Sequence, residues 1–233
     1  MEKKAIGILG GMGPLATCDL MQKIINHQDA KKDQDYLQIF VDCNTNIPDR
    51  TGAILHGGED PVPQMTKSAV GLEKMGADVL IMPCNTAHYF LEAVAASVET
   101  PFLHMPRETA KYLREQGIER AAVLATDGTV QTGIYDRALK EFGVTPMYPA
   151  AEEQKIIMSL IYDCVKAGKS CAHHLPAIMS MGQRMMQEGA QAFVLACTEL
   201  PIAFDELNTG LPTADPTDVL ACAAVRYAGG TLK

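Results

Sequence analysis

"GADVLIMPCNT", residues 76–86, is an apolar run that ends in a cysteine and a polar pair. "GAQAFVLACTE", residues 189–199, repeats the pattern 113 residues later, again with eight residues from the glycine to the cysteine. A second pair of segments, "ILGGMG" at 8–13 and "VLATDG" at 123–128, lines up at an offset of 115. Two matches in the same order predict two homologous halves, each a small doubly wound domain.

Short apolar runs alternate with longer amphipathic segments along the chain, which is typical of βα units on a mostly parallel sheet. The apolar runs predict buried strands at residues 5–9, 37–42, 79–82, 101–104, 121–125 and 192–196. The amphipathic segments predict helices at residues 17–28, 63–75, 87–97, 107–116, 132–142, 153–167, 172–188 and 217–227. Thr17 and Thr217 are the expected caps of the first and last helices.

The fold class predicted from these patterns is α/β, with two pseudo-symmetric doubly wound domains and an active site in the cleft between them. The N-terminal domain spans residues 1–104, and a C-terminal helical segment, residues 213–233, can complete it. The second domain spans residues 105–212. Ligands of open α/β sheets bind outside the carboxyl ends of the strands. The segments expected there are Gly10–Gly13, Cys84, Thr126–Gly128 and Cys197.

Composition excludes several classes of function. The chain has 233 residues, a formal net charge of −8 and no block of Lys and Arg, which argues against a nucleic-acid or anionic-membrane partner. We expect a cytoplasmic protein, because neither a signal peptide nor a membrane-spanning apolar stretch is evident. None of the seven cysteines forms a CxxC pair, so a zinc ribbon is not expected, and free thiols are.

Cys84 and Cys197 differ from the remaining cysteines because each follows a strand and opens a helix, whose dipole lowers the pKa of a thiol. Nucleophilic catalysis needs one thiol, and a disulfide needs a nearby redox partner. A stereochemical inversion uses two groups: one thiolate removes the α-proton and the opposite thiol returns one. Matched cysteines therefore favour inversion. We assign the other five to packing: Cys18, Cys43, Cys164, Cys171 and Cys222.

The turn Gly10–Gly13 follows a strand and precedes a helix, so its backbone N–H groups can hold an anion, or it can be a tight turn that needs positive φ. The dinucleotide fingerprint GxGxxG and the lysine-bearing phosphate loop are both absent. We favour a turn that also lines a carboxylate pocket, with Met12 as an assisting candidate.

Six motifs together resemble the aspartate/glutamate racemase family, and its aspartate racemases in particular: "GILGGMGPLAT", "NIPDRT", "MPCNTAH", "LATDGT", "VKAG" and "ACTE". The resemblance covers nearly the whole chain. It implies cofactor-independent racemisation with Cys84 and Cys197 as catalytic residues, a two-domain α/β fold and commonly a dimer. In the related glutamate racemases the first cysteine deprotonates the D-enantiomer and the second the L-enantiomer. Those enzymes typically have CTH and an Asp-Ser pair where this chain has CTE and Gly11-Met12, which favours an aspartate-type or broader enzyme.

The resemblance also suggests how a dicarboxylate is held. Arg50, in the polar loop Asn44–Pro63, matches the family's "IPDRT" and can bind a carboxylate through its two-pronged guanidinium. Lys166, at the end of a helix, matches "VKAG", where the family uses a lysine for the distal carboxylate. The other substrate-binding candidates are Thr51, Asn85, Thr86, Ala87, Thr126 and Thr198.

Two further candidates lie beside the cysteines. His88, four residues after Cys84, either tunes the thiol or packs beneath the cleft. Glu199 either assists proton transfer at Cys197 or favours a helix N-terminus. His173 and His174 hint at a metal, but no third ligand lies at a sensible spacing, so we expect a solvated helix face and no metal site.

The function predicted from the sequence is racemisation of aspartate by a two-base mechanism, without a cofactor, in a homodimer. Glutamate or broad-specificity racemisation, or a related isomerase or decarboxylase reaction, remain alternatives on the same scaffold. An amino-acid-binding regulatory protein is the alternative outside the enzymes.

Overall fold

The structure is a computed structural model that describes residues 3–233, and its strands form two parallel sheets. The first sheet consists of β1 (Ile6–Gly10), β2 (Ile39–Cys43) and β3 (Val79–Ile81). The second consists of β4 (Arg120–Ala125), β5 (Thr145–Met147), β6 (Ala192–Ala196) and β7 (Thr213–Ala214). The chain divides into two compact units. The first unit runs up to Glu108 and includes Thr217–Lys233, and the second unit is Thr109–Pro216.

The α-helices connect and cover the strands. They are α1 (Pro14–His27), α2 (Arg50–His56), α3 (Val62–Lys74), α4 (Leu91–Ala95), α5 (Met105–Glu115), α6 (Asp127–Thr132), α7 (Ile134–Glu141), α8 (Ala151–Ser159), α9 (Leu175–Gln187), α10 (Leu200–Leu207) and α11 (Pro216–Tyr227). Three 3-10 turns, Asp33–Asp35, Thr86–Phe90 and Ala172–His174, and one π turn, Leu160–Val165, complete the helical structure of the described residues. Within residues 3–233, no helix combines the length and apolar character needed to cross a bilayer.

The first sheet has the strand order β2-β1-β3 and is covered on both faces. Ile6 and Ile8 of β1 pack against α1 and α11 on one face, whereas Leu9 packs against α3 and α4 on the other. Because successive side chains of a strand point to opposite faces, a strand buried on both sides reads as a continuous apolar run.

The second sheet, with the order β5-β4-β6-β7, is built in the same way. Leu124 and Leu195 pack against α8, α9 and α10, and Val123 and Val194 pack against α5 and α7. β1 is paired on both sides in the first sheet, and so is β4 in the second. β3 pairs with β1, β6 pairs with β4, and each of these two strands leads into a cysteine. The α/β class with parallel sheets is therefore confirmed, and the strands of the two sequence repeats occupy equivalent places.

Three predicted or missed strands need correction. Residues 101–104 form no strand, because only Phe102 pairs with Leu80 before the chain enters α5, and Pro101 has no N–H to donate. The strands β5 and β7 were missed, since runs of three and two residues cannot be distinguished from a turn by periodicity.

Several helix predictions also need correction. The loop 44–63 contains α2, because Asp49 caps it by accepting the Gly52 N–H at 2.6 Å and Gly57 ends it in the left-handed conformation. Thr17 is not the cap of α1, since the helix begins at Pro14 after Gly13. The last helix likewise begins one residue before Thr217.

Three long predicted helices change type along their length. The segment 87–97 is a 3-10 turn followed by α4, and the segment 172–188 is a 3-10 turn followed by α9. The segment 153–167 is α8 followed by the π turn Leu160–Val165. Hydrophobic periodicity does not separate these helix types, because their spacings differ by less than one residue per turn.

The cysteine assignment was wrong for the two exposed thiols. Cys18 lies on the outer face of α1, and Cys43 ends the edge strand β2, whose residues alternate in burial. Cys222 is half-buried, whereas Cys164 and Cys171 are buried in the core of the second unit.

Candidate active site

Cys84 lies just beyond the carboxyl end of β3. It is 7% exposed, and its N–H donates to the carbonyl of Met82 at 2.9 Å, which turns the chain sharply after Pro83. The 3-10 turn Thr86–Phe90 begins two residues later. The thiol therefore lies at the edge of the sheet where parallel α/β folds bind ligands.

His88 is fully buried and bonds to backbone at both ring nitrogens. Its Nε2 accepts the N–H of Met105 at 3.1 Å, so Nδ1 carries the proton and donates to the carbonyl of Cys84 at 2.8 Å. Burial, and then the neighbouring His104, lower the pKa of His88 to about 3. A neutral His88 thus fixes the backbone of Cys84, and both ring nitrogens are engaged with backbone groups.

The glycine turn between β1 and α1 is tied by Thr17. The Thr17 hydroxyl accepts the N–H of Gly11 at 2.9 Å and donates to the carbonyl of Gly13 at 3.0 Å. Gly11 has a φ of 91°, and a Cβ there would lie 2.3 Å from the carbonyl oxygen of Asn44. The close approach of two backbones therefore requires glycine at this position.

Arg50 links this turn to α2, of which it is the first residue. Its guanidinium donates to the carbonyl of Pro48 at 2.9 Å and to that of Met12 at 3.4 Å. Met12 itself is buried in the core of the first unit, and Thr51 is buried beside Arg50. The three predicted residues Met12, Arg50 and Thr51 thus belong to one region at the carboxyl end of the first sheet.

Asn85, Thr86 and Ala87 follow Cys84 directly and are all buried. They bring an amide, a hydroxyl and backbone N–H groups next to the thiol, which is the type of donor that a carboxylate needs.

Cys197 lies just beyond the carboxyl end of β6 and is 9% exposed. Its thiol donates to Oε2 of Glu199 at 2.9 Å, and the Thr198 hydroxyl donates to the same oxygen at 3.1 Å. Burial, followed by the Glu199 carboxylate, raises the pKa of the Cys197 thiol well above its usual value, although Lys166 acts in the opposite direction. The prediction that a helix N-terminus lowers the pKa of the thiol is wrong for Cys197, because burial and the Glu199 carboxylate raise this pKa by more.

Lys166 follows the π turn and reaches the same carboxylate. Its Nζ lies 3.7 Å from Oε1 of Glu199 and 4.6 Å from the centre of the Tyr162 ring. Cys197, Glu199 and Lys166 thus form a connected row in which one carboxylate contacts both a thiol and a cation. Sequence reasoning missed Tyr162, although its spacing of four residues from Lys166 is the one that brings helical side chains together.

Thr126 lies at the carboxyl end of β4 and caps α6. Its hydroxyl accepts the N–H of Thr129 at 3.3 Å and contacts that residue's hydroxyl at 3.2 Å. Gln154, which no sequence signal indicated, donates to the carbonyl of Ala125 at 2.9 Å and to Asp127 at 2.8 Å. The segment after β4 is therefore fixed from two sides.

Comparison with known proteins gives a consistent result. Residues 9–224 match the model of the protein family described as Asp/Glu/hydantoin racemase. The broad specificity amino-acid racemase RacX of Bacillus subtilis (strain 168) is 30% identical over 228 residues, which cover 94% of this chain and 96% of that protein.

Two solved structures are similar over almost their whole length. The Picrophilus torridus aspartate racemase is 32% identical, with a TM-score of 0.85 over 99% of this chain and 96% of that one. An aspartate racemase homologue from Pyrococcus horikoshii OT3 is 22% identical, with a TM-score of 0.80 over 97% and 99% of the two chains, and shares the fold.

Proposed function

Because the chain belongs to the Asp/Glu/hydantoin racemase family, we propose that it interconverts L- and D-aspartate by moving a proton at the α-carbon. Cys84 and Cys197 are the two acid–base groups, and no cofactor takes part in the proton transfer. The observation that carries the proposal is the repeated arrangement in the two units. In the first unit β3, which pairs with β1, leads into a buried cysteine followed by polar residues, and in the second unit β6, which pairs with β4, does the same.

The proposed mechanism balances protons within one turnover. A thiolate removes the α-proton from one face of the substrate, and the opposite thiol donates a proton to the other face. The mechanism requires that the two thiols reach opposite faces of one bound amino acid. After the reaction the cysteines have exchanged protonation states, so a proton must return before the next molecule of the same enantiomer reacts.

Glu199 is the proposed proton acceptor for Cys197. The thiol already donates to its carboxylate at 2.9 Å, a distance suited to direct transfer. The resting state of Cys197 is a neutral thiol because its pKa is raised, so this cysteine is prepared to act as an acid. To act as a base it must first transfer its proton, and Glu199 provides the route.

The charge that develops on the substrate when the α-proton leaves needs hydrogen-bond donors. We propose that Asn85, Thr86 and Ala87 beside Cys84, and Thr198 beside Cys197, bind the α-carboxylate and stabilise this charge. Thr126, at the equivalent of the glycine turn, is a further donor in the proposal.

The second carboxylate of aspartate is assigned to cations. Arg50, backed by Thr51 and tied to the glycine turn through the Met12 carbonyl, can present a planar guanidinium to a carboxylate. Lys166 is the second cation, and its ion pair with Glu199 links substrate binding to the proton acceptor of Cys197. His88 acts in the proposal as a positioning residue that holds the Cys84 backbone.

Broad specificity is the second candidate, and it rests on the similarity to a broad specificity racemase over 94% of the chain. Aspartate remains the first candidate because an aspartate racemase is 32% identical over 99% of the chain. A panel of L-aspartate, L-glutamate and neutral L-amino acids discriminates the two. A faster reaction with a neutral amino acid would replace aspartate as the proposed substrate.

The decisive experiment follows α-deuterium and configuration in D₂O for each enantiomer of aspartate. Two separate acid–base groups predict that solvent deuterium appears first in the product enantiomer, while the remaining substrate keeps its α-proton. Equal early labelling of substrate and product would contradict two-base transfer, and no exchange with any amino acid would overturn the racemase assignment.

A matched set of variants tests the two cysteines. We expect Cys84→Ser and Cys197→Ser each to abolish racemisation, whereas Cys18→Ser and Cys43→Ser, which change exposed thiols, retain it. Normal racemisation by either of the first two variants would remove that cysteine from the mechanism.

A further inference from the structure

The second unit holds a cluster of metal-binding side chains that includes none of the residues assigned to racemisation. The cluster consists of Cys164, His173 and His174, whose potential ligand atoms all lie within 4.8 Å of one another. We propose that these three residues bind one divalent cation of the zinc class. The proposal extends the chemistry of this chain beyond proton transfer, because neither histidine has a role in the proposed reaction.

The donor set fits zinc. One thiolate and two imidazoles are the ligands that Zn²⁺ prefers, whereas Mg²⁺ and Ca²⁺ prefer oxygen. Zinc lies about 2.3 Å from sulfur and about 2.0 Å from nitrogen, which places tetrahedral ligand atoms roughly 3.3–3.8 Å apart. Because the ligand atoms lie within 4.8 Å of one another, side-chain movements of about 1 Å are enough to bring them to these distances without a change of backbone.

The three residues differ in burial, and the difference allows the two rings to move towards the thiol. Cys164 is 2% exposed and anchored in the core of the second unit. His173 is exposed and His174 half-buried, and their ring centres are 4.0 Å apart, so both rings lie on one side of the chain. A fixed thiol and two adjustable rings can therefore converge on one ion.

The surroundings supply the outer contacts that metal-binding histidines usually have. The Ser159 hydroxyl lies 3.2 Å from Nε2 of His174, which leaves the other ring nitrogen for an ion. The thiol of Cys171 contacts that of Cys164, and the Cys171 N–H donates to the Glu206 carboxylate at 3.0 Å. Because His173 is exposed, solvent can supply the remaining ligand of the ion.

The backbone explains why the cluster forms without a recognisable spacing. The π turn Leu160–Val165 is a wide helical turn of the kind often found at functional sites. The N–H of Lys169 then bonds to the Cys164 carbonyl at 2.9 Å, and the chain reverses into the 3-10 turn Ala172–His174. The reversal returns the two histidines to the cysteine that precedes them.

A similar cluster in the first unit is a weaker candidate and serves as a control. His27, Asp218 and Cys222 also lie within 4.8 Å of one another. His27 and Asp218, however, already pair with each other at 2.6 Å, so an ion would have to replace an existing contact.

The test is a titration of the reduced, chelator-treated full-length chain with Co²⁺, followed by displacement with Zn²⁺. We expect one equivalent of Co²⁺ to bind with thiolate-to-metal charge-transfer absorption and the ligand-field bands of a tetrahedral site, and Zn²⁺ to remove both. The double variant His173→Asn/His174→Asn changes accessible side chains. We expect it to lose the spectrum and to bind Zn²⁺ at least about 10-fold more weakly.

Controls separate this site from other thiols and from misfolding. His27→Asn and Cys18→Ser should keep the spectrum, and circular dichroism should show that the double variant is folded. Zn²⁺ should raise the thermal midpoint of the wild-type chain and leave that of the double variant unchanged, since a ligand that binds only the folded state stabilises it.

Three results would overturn the proposal: no stoichiometric Co²⁺ binding, an unchanged spectrum in the double variant, or loss of the spectrum in His27→Asn. A Cys164–Cys171 disulfide that persists after reduction, found by mass spectrometry, would also overturn it. Because no step of the titration uses an amino-acid substrate, its failure is independent of failure of the racemase assignment.

Discussion

Replacing Glu199 by Gln removes the negative charge that contacts the thiol of Cys197 and keeps the shape of the side chain. In the wild-type chain the thiol donates to Oε2 at 2.9 Å, and Lys166 lies 3.7 Å from Oε1. The carboxylate raises the pKa of Cys197, so the variant should lower it.

The size of the change follows from the distance and the surroundings. Two unit charges 4 Å apart interact with about 1 kcal/mol in water and about 4 kcal/mol near a protein surface. The Glu199 side chain is only 14% exposed, which favours the upper part of this range, but the Lys166 ammonium offsets part of the field. Removing the carboxylate should therefore favour the thiolate of Cys197 by about 1–3 kcal/mol and lower the pKa of this thiol.

The assay is the pH dependence of alkylation of Cys197 by iodoacetamide. Mass spectrometry of the peptide that contains Cys197 separates its reaction from that of the exposed thiols Cys18 and Cys43. Glu152→Gln is the matched control, because this glutamate is 82% exposed and its loss changes the net charge equally. We expect a lower midpoint in Glu199→Gln and an unchanged one in Glu152→Gln.

The same variant tests the proposed proton acceptor. If Glu199 takes the proton of Cys197, racemisation should fall by about 10²-fold, which is the lower range for a general base. An unchanged alkylation midpoint would refute the electrostatic reasoning. A lowered midpoint with wild-type turnover would instead remove Glu199 from the mechanism and leave its effect on the thiol intact.

Three further predictions concern stability and substrate binding. The pKa of His88 is about 3 in the folded state and 6.5 in the unfolded state, so stability is lost as the pH falls below 6.5 and only the unfolded chain takes up the proton. Between pH 7 and pH 5 the free energy of unfolding in urea should therefore drop by about 2 kcal/mol more in the wild type than in His88→Gln. Gly11→Ala should lower the free energy of unfolding by about 2 kcal/mol or more, since φ is 91° and the new Cβ would clash with Asn44. Gly71→Ala, in open space on a helix, should raise it by about 0.5–1 kcal/mol, and equal effects of the two variants would contradict the close-approach argument. Arg50→Lys should raise the KM for aspartate about 10-fold with little change in kcat, because lysine cannot form the paired bonds of a guanidinium, and an unchanged KM would remove Arg50 from the substrate site.

The fold could be predicted from the sequence to the extent that burial leaves a local pattern. β1, β3, β4 and β6 are buried on both faces and therefore read as apolar runs, and two of them lead into the repeated cysteines. The helix α2 left no such pattern, since its start and end depend on single capping residues within a polar segment.

The two candidate sites, at Cys197 and at Cys164, also differ in how far they could be predicted from the sequence. Contact between Cys197 and Glu199 involves residues two apart, so the sequence already indicated it. The proximity of Cys164 and His173 depends on a π turn and a chain reversal, and neither changes the hydrophobic periodicity that sequence reasoning uses. A contact between residues two apart can thus be anticipated from the sequence, whereas one between residues nine apart depends on the path of the backbone between them.

The two units keep the strand-to-cysteine arrangement but differ in what contacts the cysteine. His88 bonds to the carbonyl of Cys84, whereas Glu199 bonds to the thiol of Cys197. A racemase cannot express this asymmetry in kcat/KM, because the two enantiomers have equal free energy and the ratio of their kcat/KM values is fixed at one. It can appear only in kcat and KM taken separately. We therefore expect Glu199→Gln to change kcat unequally for L- and D-aspartate while that ratio stays at one. Equal changes in kcat would mean that Glu199 serves both directions alike, and the proposed division between an acid-ready Cys197 and a separate base would then be wrong.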